Sequence, residues 1–359
     1  MDGRKYGIEA EYALVQPDGR FADFTNTSYA EIRPLLETLP DYGHPELRVG
    51  DAGIRVKNWY AEGDERFDEG GRSTGLAFKG IEIRTPVCAT IEESISSLQA
   101  LRAMLRHALE AQGWSFLAIG FNPCTAAYEP AYAPWERDFH ASHAANALPQ
   151  ISTLSYGPDF NFSCSRDTPK ALIESVRRLT FYSPFIVPFS FSSPFLGGRL
   201  WEGLSYRTFR RTGPRPAALA HLSGAHDHPL AKEADPPSQH LRIEFKAFDM
   251  LGNDRLLAEL FHLVVGIARC DPRALPGSAD APDAALHRKA ALTGFEDDRI
   301  REGATAVLAA SGSRHGFPLL REMLATRRTP AHAMRERFAQ TGSLFAAEAQ
   351  PENASAGTE

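Results

Sequence analysis

The sequence predicts an α+β fold, an antiparallel or mixed sheet with helices packed on one face and a chemically active opposite face. The main observation is that four segments alternate apolar and polar residues with the period of a half-buried strand. Ile8, Ala10, Tyr12 and Leu14 oppose Glu9 and Glu11; Ile81 and Ile83 oppose Glu82 and Arg84. Pro158, Phe160, Phe162 and Cys164 oppose Asp159, Asn161 and Ser163, and Leu241, Ile243, Phe245 and Ala247 oppose Arg242, Glu244 and Lys246. Strands of a doubly wound parallel sheet are buried on both faces and read as unbroken apolar runs. The second observation is that helices and long loops separate these strands, which places the helices on the apolar face.

In chain order, the first strand ends before the turn Pro17-Asp18-Gly19-Arg20, and a short helix is expected near Tyr29 to Leu39. A strand is predicted from Ile54 to Glu62, an acidic glycine-rich loop from Gly63 to Gly75, and a strand from Leu76 to Arg84 closed by Thr85-Pro86. The clearest helix follows. Thr90 and Glu93 form a capping box, Ile91, Ile95, Leu98, Leu101, Leu105 and Leu109 its apolar stripe, and Gly113 its stop. Ser115 to Ile119 is a short strand leading into the turn Gly120-Phe121-Asn122-Pro123, and residues 125–150 read as irregular. Ser152 to Ser165 reads as one strand with a central glycine, Asp167-Thr168-Pro169 starts a helix to about Tyr182, and Pro184 to Gly198 reads as ordered loop. Residues 211–239 read as a long loop or lid, His240 to Asp249 as a strand and Asp254 to Arg269 as a helix. Helices at about 296–310, 317–326 and 330–341 complete the chain, the last bracketed by Thr329-Pro330 and Gly342. Residues 1–345 read as a single catalytic domain and 346–359 as a frayed tail.

Composition narrows the class. The 359 residues are 43% apolar and 23% charged, ordinary for a soluble protein, with a net charge of -6 and no basic face for nucleic acid. Cys88, Cys124, Cys164 and Cys270 lie far apart without a C-x-x-C pair; they fit a reducing cytoplasm, and the first three read as small buried residues. No signal peptide or membrane span is expected, since the best apolar run, Leu260 to Ala268, is short and contains His262. The expected setting is the cytoplasm, with no membrane partner.

The polar face carries the chemistry. One strand with Glu and Arg outward is what any solvated sheet shows, but four such strands place Glu9, Glu11, Glu82 and Glu244 beside Arg84, Arg242 and Lys246. Adjacent carboxylates repel and are costly to desolvate unless a cation sits between them. Such a cluster suits Mg²⁺, which takes one or two carboxylates together with nucleotide phosphates. Neither G-x-x-x-x-G-K-[ST] nor G-x-G-x-x-G occurs, so a nucleotide would be held by metals and side chains. His221, His226, Asp227 and His228 lack a spacing that aims them at zinc and read as part of a solvated lid; His140 and His143 have no completing ligands. Ser192-Ser193 lacks the G-x-S-x-G elbow of a serine hydrolase.

Gly7-Ile8-Glu9-Ala10-Glu11-Tyr12, Gly80-Ile81-Glu82-Ile83-Arg84-Thr85-Pro86, Ser193-Pro194-Phe195, Ser205-Tyr206-Arg207-Thr208 and Arg242-Ile243-Glu244-Phe245-Lys246 follow one another in this order. Together with Pro330-Ala331-His332-Ala333-Met334-Arg335, they resemble the carboxylate–amine ligase family (glutamate–cysteine ligase type 2) of the glutamine synthetase superfamily, over about residues 5 to 345. The resemblance implies a curved, mainly antiparallel sheet whose concave face binds ATP and Mg²⁺ or Mn²⁺. It implies phosphorylation of a substrate carboxylate, usually the γ-carboxylate of glutamate, followed by amine attack to give an amide. Small-molecule carboxylate and amine substrates are thus the expected partners, with homo-oligomers common in the superfamily.

Carried over by position, the resemblance makes Glu9, Glu11, Glu82 and Glu244 metal ligands. Arg84, Asp159, Asn161, Arg242 and Lys246 become nucleotide contacts, and Arg207, Arg211 and Lys246 catalytic cations. The chain departs from the family in three places. The usual Gly-x-His-x-His reads Gly157-Pro158-Asp159-Phe160-Asn161, a glycine-histidine-proline turn reads Gly120-Phe121-Asn122-Pro123, and Lys246 stands for Arg. The last exchanges a planar fork for a point charge. These departures leave the amine open, and with it two other readings, a metal-dependent amide hydrolase on the same scaffold and a non-catalytic nucleotide-binding member.

Overall fold

The computed structural model describes residues 3–44, 57–70, 72–130, 132–142, 149–163, 167–211, 215–224, 227–234, 237–312 and 316–345. The expected tail over 346–359, the start of the strand expected from Ile54, and Cys164, His143 and His226 lie outside these residues.

The centre of the sheet is β1 (Lys5–Val15). Its buried residues Ile8, Ala10, Tyr12 and Leu14 alternate with the less buried Glu9 and Glu11, as the apolar period dictates. The other strands are β2 (Phe21–Ala22), β3 (Trp59–Phe67), β4 (Ser73–Arg84), β5 (Ser115–Leu117), β6 (Pro158–Ser163), β7 (Phe195–Leu196), β8 (Arg199–Leu200), β9 (Ala218–Leu222), β10 (Ala231–Glu233) and β11 (Arg242–Phe245). The main sheet runs β10-β9-β11-β6-β1-β4-β3, with β2 and β5 paired to the far half of β1. All of its pairs are antiparallel except β9 with β10. The sheet is strongly curled, an α+β architecture as expected. The four strands with the shared alternation are consecutive neighbours, β11-β6-β1-β4.

Helices α1 (Tyr29–Thr38), α2 (Ile91–Glu110), α3 (Pro134–Ser142), α4 (Pro149–Leu154), α5 (Pro169–Ile186), α6 (Tyr206–Arg211), α7 (Asp254–Arg269), α8 (Ala284–Thr293), α9 (Asp298–Ala310), α10 (Pro318–Thr326) and α11 (Pro330–Thr341) complete the fold. Thr90 Oγ1 accepts from Glu93 N at 3.0 Å, but the Glu93 carboxylate reaches past the cap to Ala89 N at 2.8 Å. The predicted stripe of α2 is buried, each leucine contributing about 1.5–3 kcal/mol. On the same apolar side, Phe261 of α7 stacks on Phe160 with centroids 4.5 Å apart and meets Tyr6 edge-on at 5.8 Å. Buried Arg178 of α5 donates to the carbonyls of Ile267 and Ala268 at 3.2 Å, a cation on the C-terminal end of α7.

Several expectations about local structure are corrected. The acidic stretch from Gly63 to Gly75 is a hairpin of β3 and β4, because cross-strand pairing outweighs its loop-like composition. Residues 152–154 end a helix opened by Pro149, and the following strand begins only at Pro158. The stretch 211–239 contributes β9 and β10 to the sheet, and α3 and α8 form where no helix was expected. Cys124 is exposed at the Asn122-Pro123 turn, where its N–H donates to Asn122 Oδ1.

The β3/β4 pair also carries a register shift: Glu62 faces Gly80 whereas Gly63 faces Phe78, so Lys79 is the extra residue of a bulge. Gly80 is obligatory there, since a Cβ would collide with the Tyr12 carbonyl oxygen. Gly80→Ala is therefore expected to cost about 1–3 kcal/mol of stability in urea unfolding. Gly75→Ala, with no atom within 4 Å of its Cβ position, is expected to be tolerated, and equal midpoints for the two variants would contradict the bulge's role.

Candidate active site

Strand register gathers the polar residues on one face. Glu9 lies between Asp159 on one neighbour and Arg84 on the other, and Glu11 faces Glu82. Gly7 and Glu244 both face Asn161, Arg242 faces both Ser163 and His221, and Tyr60 faces Glu82. Two carboxylate groups result, Glu9 with Asp159 and Glu244, and Glu11 with Glu62 and Glu82. Each group has potential ligand oxygens within 4.8 Å of one another. Glu9, Glu11, Glu82 and Glu244 are thus brought together, and Asp159 and Glu62 join them.

Cations from the same strands fill the spaces. Lys246 Nζ lies 2.9 Å from Asp159 Oδ2 and 2.8 Å from Glu244 Oε1, and His221 Nε2 is 2.9 Å from Glu244 Oε2. Lys79 Nζ, delivered by the bulge, lies 2.5 Å from Glu11 Oε1, while Gly157 N donates to Glu11 Oε2 at 2.9 Å. Arg84 is bonded to Glu82 and lies 4.0 Å from Glu62, and Arg242 donates to the Asn161 side-chain oxygen and reaches His221.

Burial is the largest influence on these acids. It pushes Glu82 up to about 8 against the pull of Arg84, with Glu62 and Glu11 adding repulsion. Burial likewise raises Glu9 and Glu62, and lifts Asp159 to about 6 despite Lys246. Glu244 goes the other way: burial would raise it, but Lys246, His221 and Arg242 together hold it well below the usual carboxylate range. Glu62 and Glu82, both raised by burial and within reach of Glu11, are a donor set that fits a hard divalent cation.

The arginines lie behind Lys246 and Gly157. Arg207 is buried, and its guanidinium donates to the carbonyls of Ala247 at 2.9 Å and Lys246 at 3.2 Å, with Asp249 4.0 Å away. Asp249 is in turn held by Ser193 Oγ at 2.6 Å, Ser205 Oγ at 3.1 Å and Ser192 N at 3.0 Å. The two serine motifs therefore position Arg207 and the backbone that carries Lys246. Arg211 donates to Pro216 O at 3.1 Å and lines a cavity of about 10 Å³ with Arg215, Thr208 and His287. Burial and the neighbouring Arg207 and Arg215 lower Arg211 well below its ordinary value. Burial, then Arg211, depresses His287 to about 3, so it is neutral, and its Nε2 lies 3.0 Å from Ser183 Oγ.

A cavity of about 360 Å³ is lined by Glu9, Arg84, Asn161, Arg242, Val87 and Ser238. It falls within the range of small-molecule sites, roughly 300–1,000 Å³.

Several site residues escaped the sequence reading. Lys79 was hidden by the bulge, which moves it onto the acidic face against strand parity. Glu62 was legible as the partner of Tyr60 in alternation, but the strand was ended at it. His221 is corrected from a solvated lid to a buried strand residue; the alternation Ala218, Ala220, Leu222 was the available signal. Arg215 carried no local signal.

A curled, mainly antiparallel sheet backed by helices is an architecture shared with solved ligases. One is the bifunctional glutathione synthetase of Pasteurella multocida, at TM-score 0.57 and 13% identity, covering 97% of this chain and 51% of that one. Another is glutamate–cysteine ligase from Francisella tularensis in complex with AMP, at TM-score 0.52 and 12% identity, covering 97% and 87%. At these identities the likeness is one of fold. The model of glutamate-cysteine ligase family 2 matches residues 5–229, and the chain belongs to that family. It is 24% identical over 216 residues to the "Putative glutamate–cysteine ligase 2" of Roseiflexus sp. (strain RS-1), covering 59% of this chain and 48% of that protein. A 153-residue match to "Putative glutamate–cysteine ligase 2-3" of Rubrobacter xylanophilus is 26% identical and covers 43% and 40%. The chain thus spans about half the length, or less, of the curated relatives it matches. No helix among the described residues is long and apolar enough to cross a membrane.

The raised Glu82 fixes the sign of a pH effect. The folded chain holds this proton more tightly than the unfolded chain, whose Glu titrates near about 4.3. The resulting stability is present in full below that pH and lost as pH rises through about 8. With chelator present, the melting midpoint is expected to fall as pH rises across this window, and Glu82→Gln to flatten the fall. An identical slope in wild type and variant would exclude Glu82 as its source.

Proposed function

We propose that the chain is an ATP-dependent carboxylate–amine ligase. The observation that carries this reading is the pair of partly buried carboxylate groups on one sheet face, with a small-molecule-sized cavity beside Glu9 and Arg84 and three arginines behind Lys246. Family membership and the AMP complex of the Francisella tularensis neighbour support ATP as the phosphoryl donor. In the reaction, an oxygen of the substrate carboxylate, the γ-carboxylate of glutamate in this reading, takes the γ-phosphoryl group as its bond to the β-phosphate oxygen breaks. This yields an acyl phosphate and ADP. The amine nitrogen then attacks the acyl carbon, phosphate departs, and the nitrogen loses a proton to leave the amide.

The residues divide the work. Glu11, Glu62 and Glu82 would supply oxygen ligands, and Mg²⁺ or Mn²⁺ bound there would neutralise charge on the phosphates, with Glu9, Asp159 and Glu244 as a second acidic group beside them. Arg84, Arg242 and Asn161 line the cavity proposed for the nucleotide. Arg207 holds the backbone at Lys246 and Ala247. Arg215 has no hydrogen bond or ion pair to a described residue, yet it lies within electrostatic reach of Glu11, Asp159 and Glu244. With Arg211 beside it, Arg215 is placed to meet negative charge developing on a transferred phosphoryl group.

Purified chain with ATP, Mg²⁺, glutamate and a panel of amines is expected to release phosphate and form an amide detectable by mass. Amide cleavage without ATP would replace the reading with a hydrolase, and nucleotide binding without turnover would replace it with a non-catalytic member. Arg215→Met is expected to lower kcat by roughly 10²–10³-fold with an unchanged melting midpoint. Wild-type kcat in this variant would remove Arg215 from the site.

A further inference from the structure

We propose that the Lys246 ammonium is a built-in cation of the Glu9, Asp159 and Glu244 group and stands there in place of a divalent ion. The inference deepens the ligase reading, from which it takes only that divalent cations bind this face.

One nitrogen bridges two carboxylates: Lys246 Nζ is 2.9 Å from Asp159 Oδ2 and 2.8 Å from Glu244 Oε1. These are charge-assisted distances, and the bridge is what a metal ion would make. The second Glu244 oxygen is engaged by His221 Nε2 at 2.9 Å, so both oxygens of Glu244 already have a side-chain partner. The other group differs. Lys79 bonds Glu11, Arg84 bonds Glu82 but stays 4.0 Å from Glu62, and no cation among the described residues bridges two of the three within hydrogen-bond distance. Glu62 and Glu82 lie against each other, and a carboxylate pair with waters and phosphates is enough for Mg²⁺.

The lysine is also held where it is. It projects from the same strand face as Glu244, two residues on. Its backbone N–H donates to Ala217 O at 3.0 Å, and its carbonyl accepts from Arg207 at 3.2 Å. An ion entering between Asp159 and Glu244 would leave a largely buried ammonium without its partners, a strongly unfavourable exchange. An arginine at 246 could not serve in the same way, because its planar fork spreads the charge and cannot sit as a point between two carboxylates.

The test counts Mn²⁺ per chain by equilibrium dialysis and elemental analysis. Lys246→Met is expected to bind one more Mn²⁺ per chain than wild type, and adding Glu9→Gln to that variant to remove the gain. Equal stoichiometry in wild type and Lys246→Met overturns the proposal. If wild type binds none and the variant binds one, the lysine's role stands and the metal-dependent reading of the native face falls. No Mn²⁺ in either protein overturns both. Wild-type crystals soaked in Mn²⁺ provide a measurement that needs no variant to fold. Anomalous density is expected beside Glu62 and Glu82, and a peak coordinated by both Asp159 and Glu244 overturns the proposal.

Discussion

Six carboxylates on one sheet face are the constraint on which the rest of the structure depends. Glu9, Glu11, Glu62, Glu82, Asp159 and Glu244 are drawn together by register, and two of them, Glu82 and Glu244, are almost wholly buried. Like charges this close cannot all remain ionised in a desolvated site without compensation. The chain compensates with side chains from the same sheet, Lys79 and Arg84 from β4, Arg242 and Lys246 from the β11 segment, and His221 from β9. Each is anchored to a carboxylate, or to a residue beside one, which makes the face an interlocked array of ions.

That requirement accounts for features that would otherwise be costly. A bulge interrupts the β3/β4 ladder, and Gly80 gives up a side chain against the Tyr12 carbonyl. The interruption moves Lys79 onto the acidic face. Gly157 is squeezed between Arg207 and the Phe248 carbonyl, and from there its N–H reaches Glu11. Leu241 adopts φ 64°, strained for a branched apolar residue, immediately before Arg242. Asp249 is buried only to organise Ser192, Ser193 and Ser205 around Arg207.

Strand parity made much of this legible. In β1, β4, β6 and β11, period-2 alternation separates core from site, and the apolar stripe of α2 gave its face and cap. What escaped did so for physical reasons. A bulge reverses parity, and strict alternation would set Lys79 on the side of Ile81 and Ile83; composition suggested a loop where β3 and β4 pair; and proline-rich flanks hid β9. Arg215 and His287 are brought to the site by tertiary packing, which no local pattern encodes.

The distribution of cations divides the face. At the Glu244 end both oxygens of Glu244 and one of Asp159 have a side-chain partner, and Glu244 is held well below the usual range by Lys246, His221 and Arg242 against its burial. At the Glu82 end, burial and the neighbouring acids win, and Glu82 sits near about 8 even with Arg84 bonded to it. A divalent cation gains most where negative charge is least compensated, which is the Glu62 and Glu82 side. The arginines stand behind Lys246 and Gly157, with Glu11, Asp159 and Glu244 within electrostatic reach of Arg215. The Glu244 side is thus compensated by fixed side-chain charge more fully than the Glu82 side. That asymmetry follows from an ammonium placed between Asp159 and Glu244, one side chain deciding which half of the face the chain fills itself.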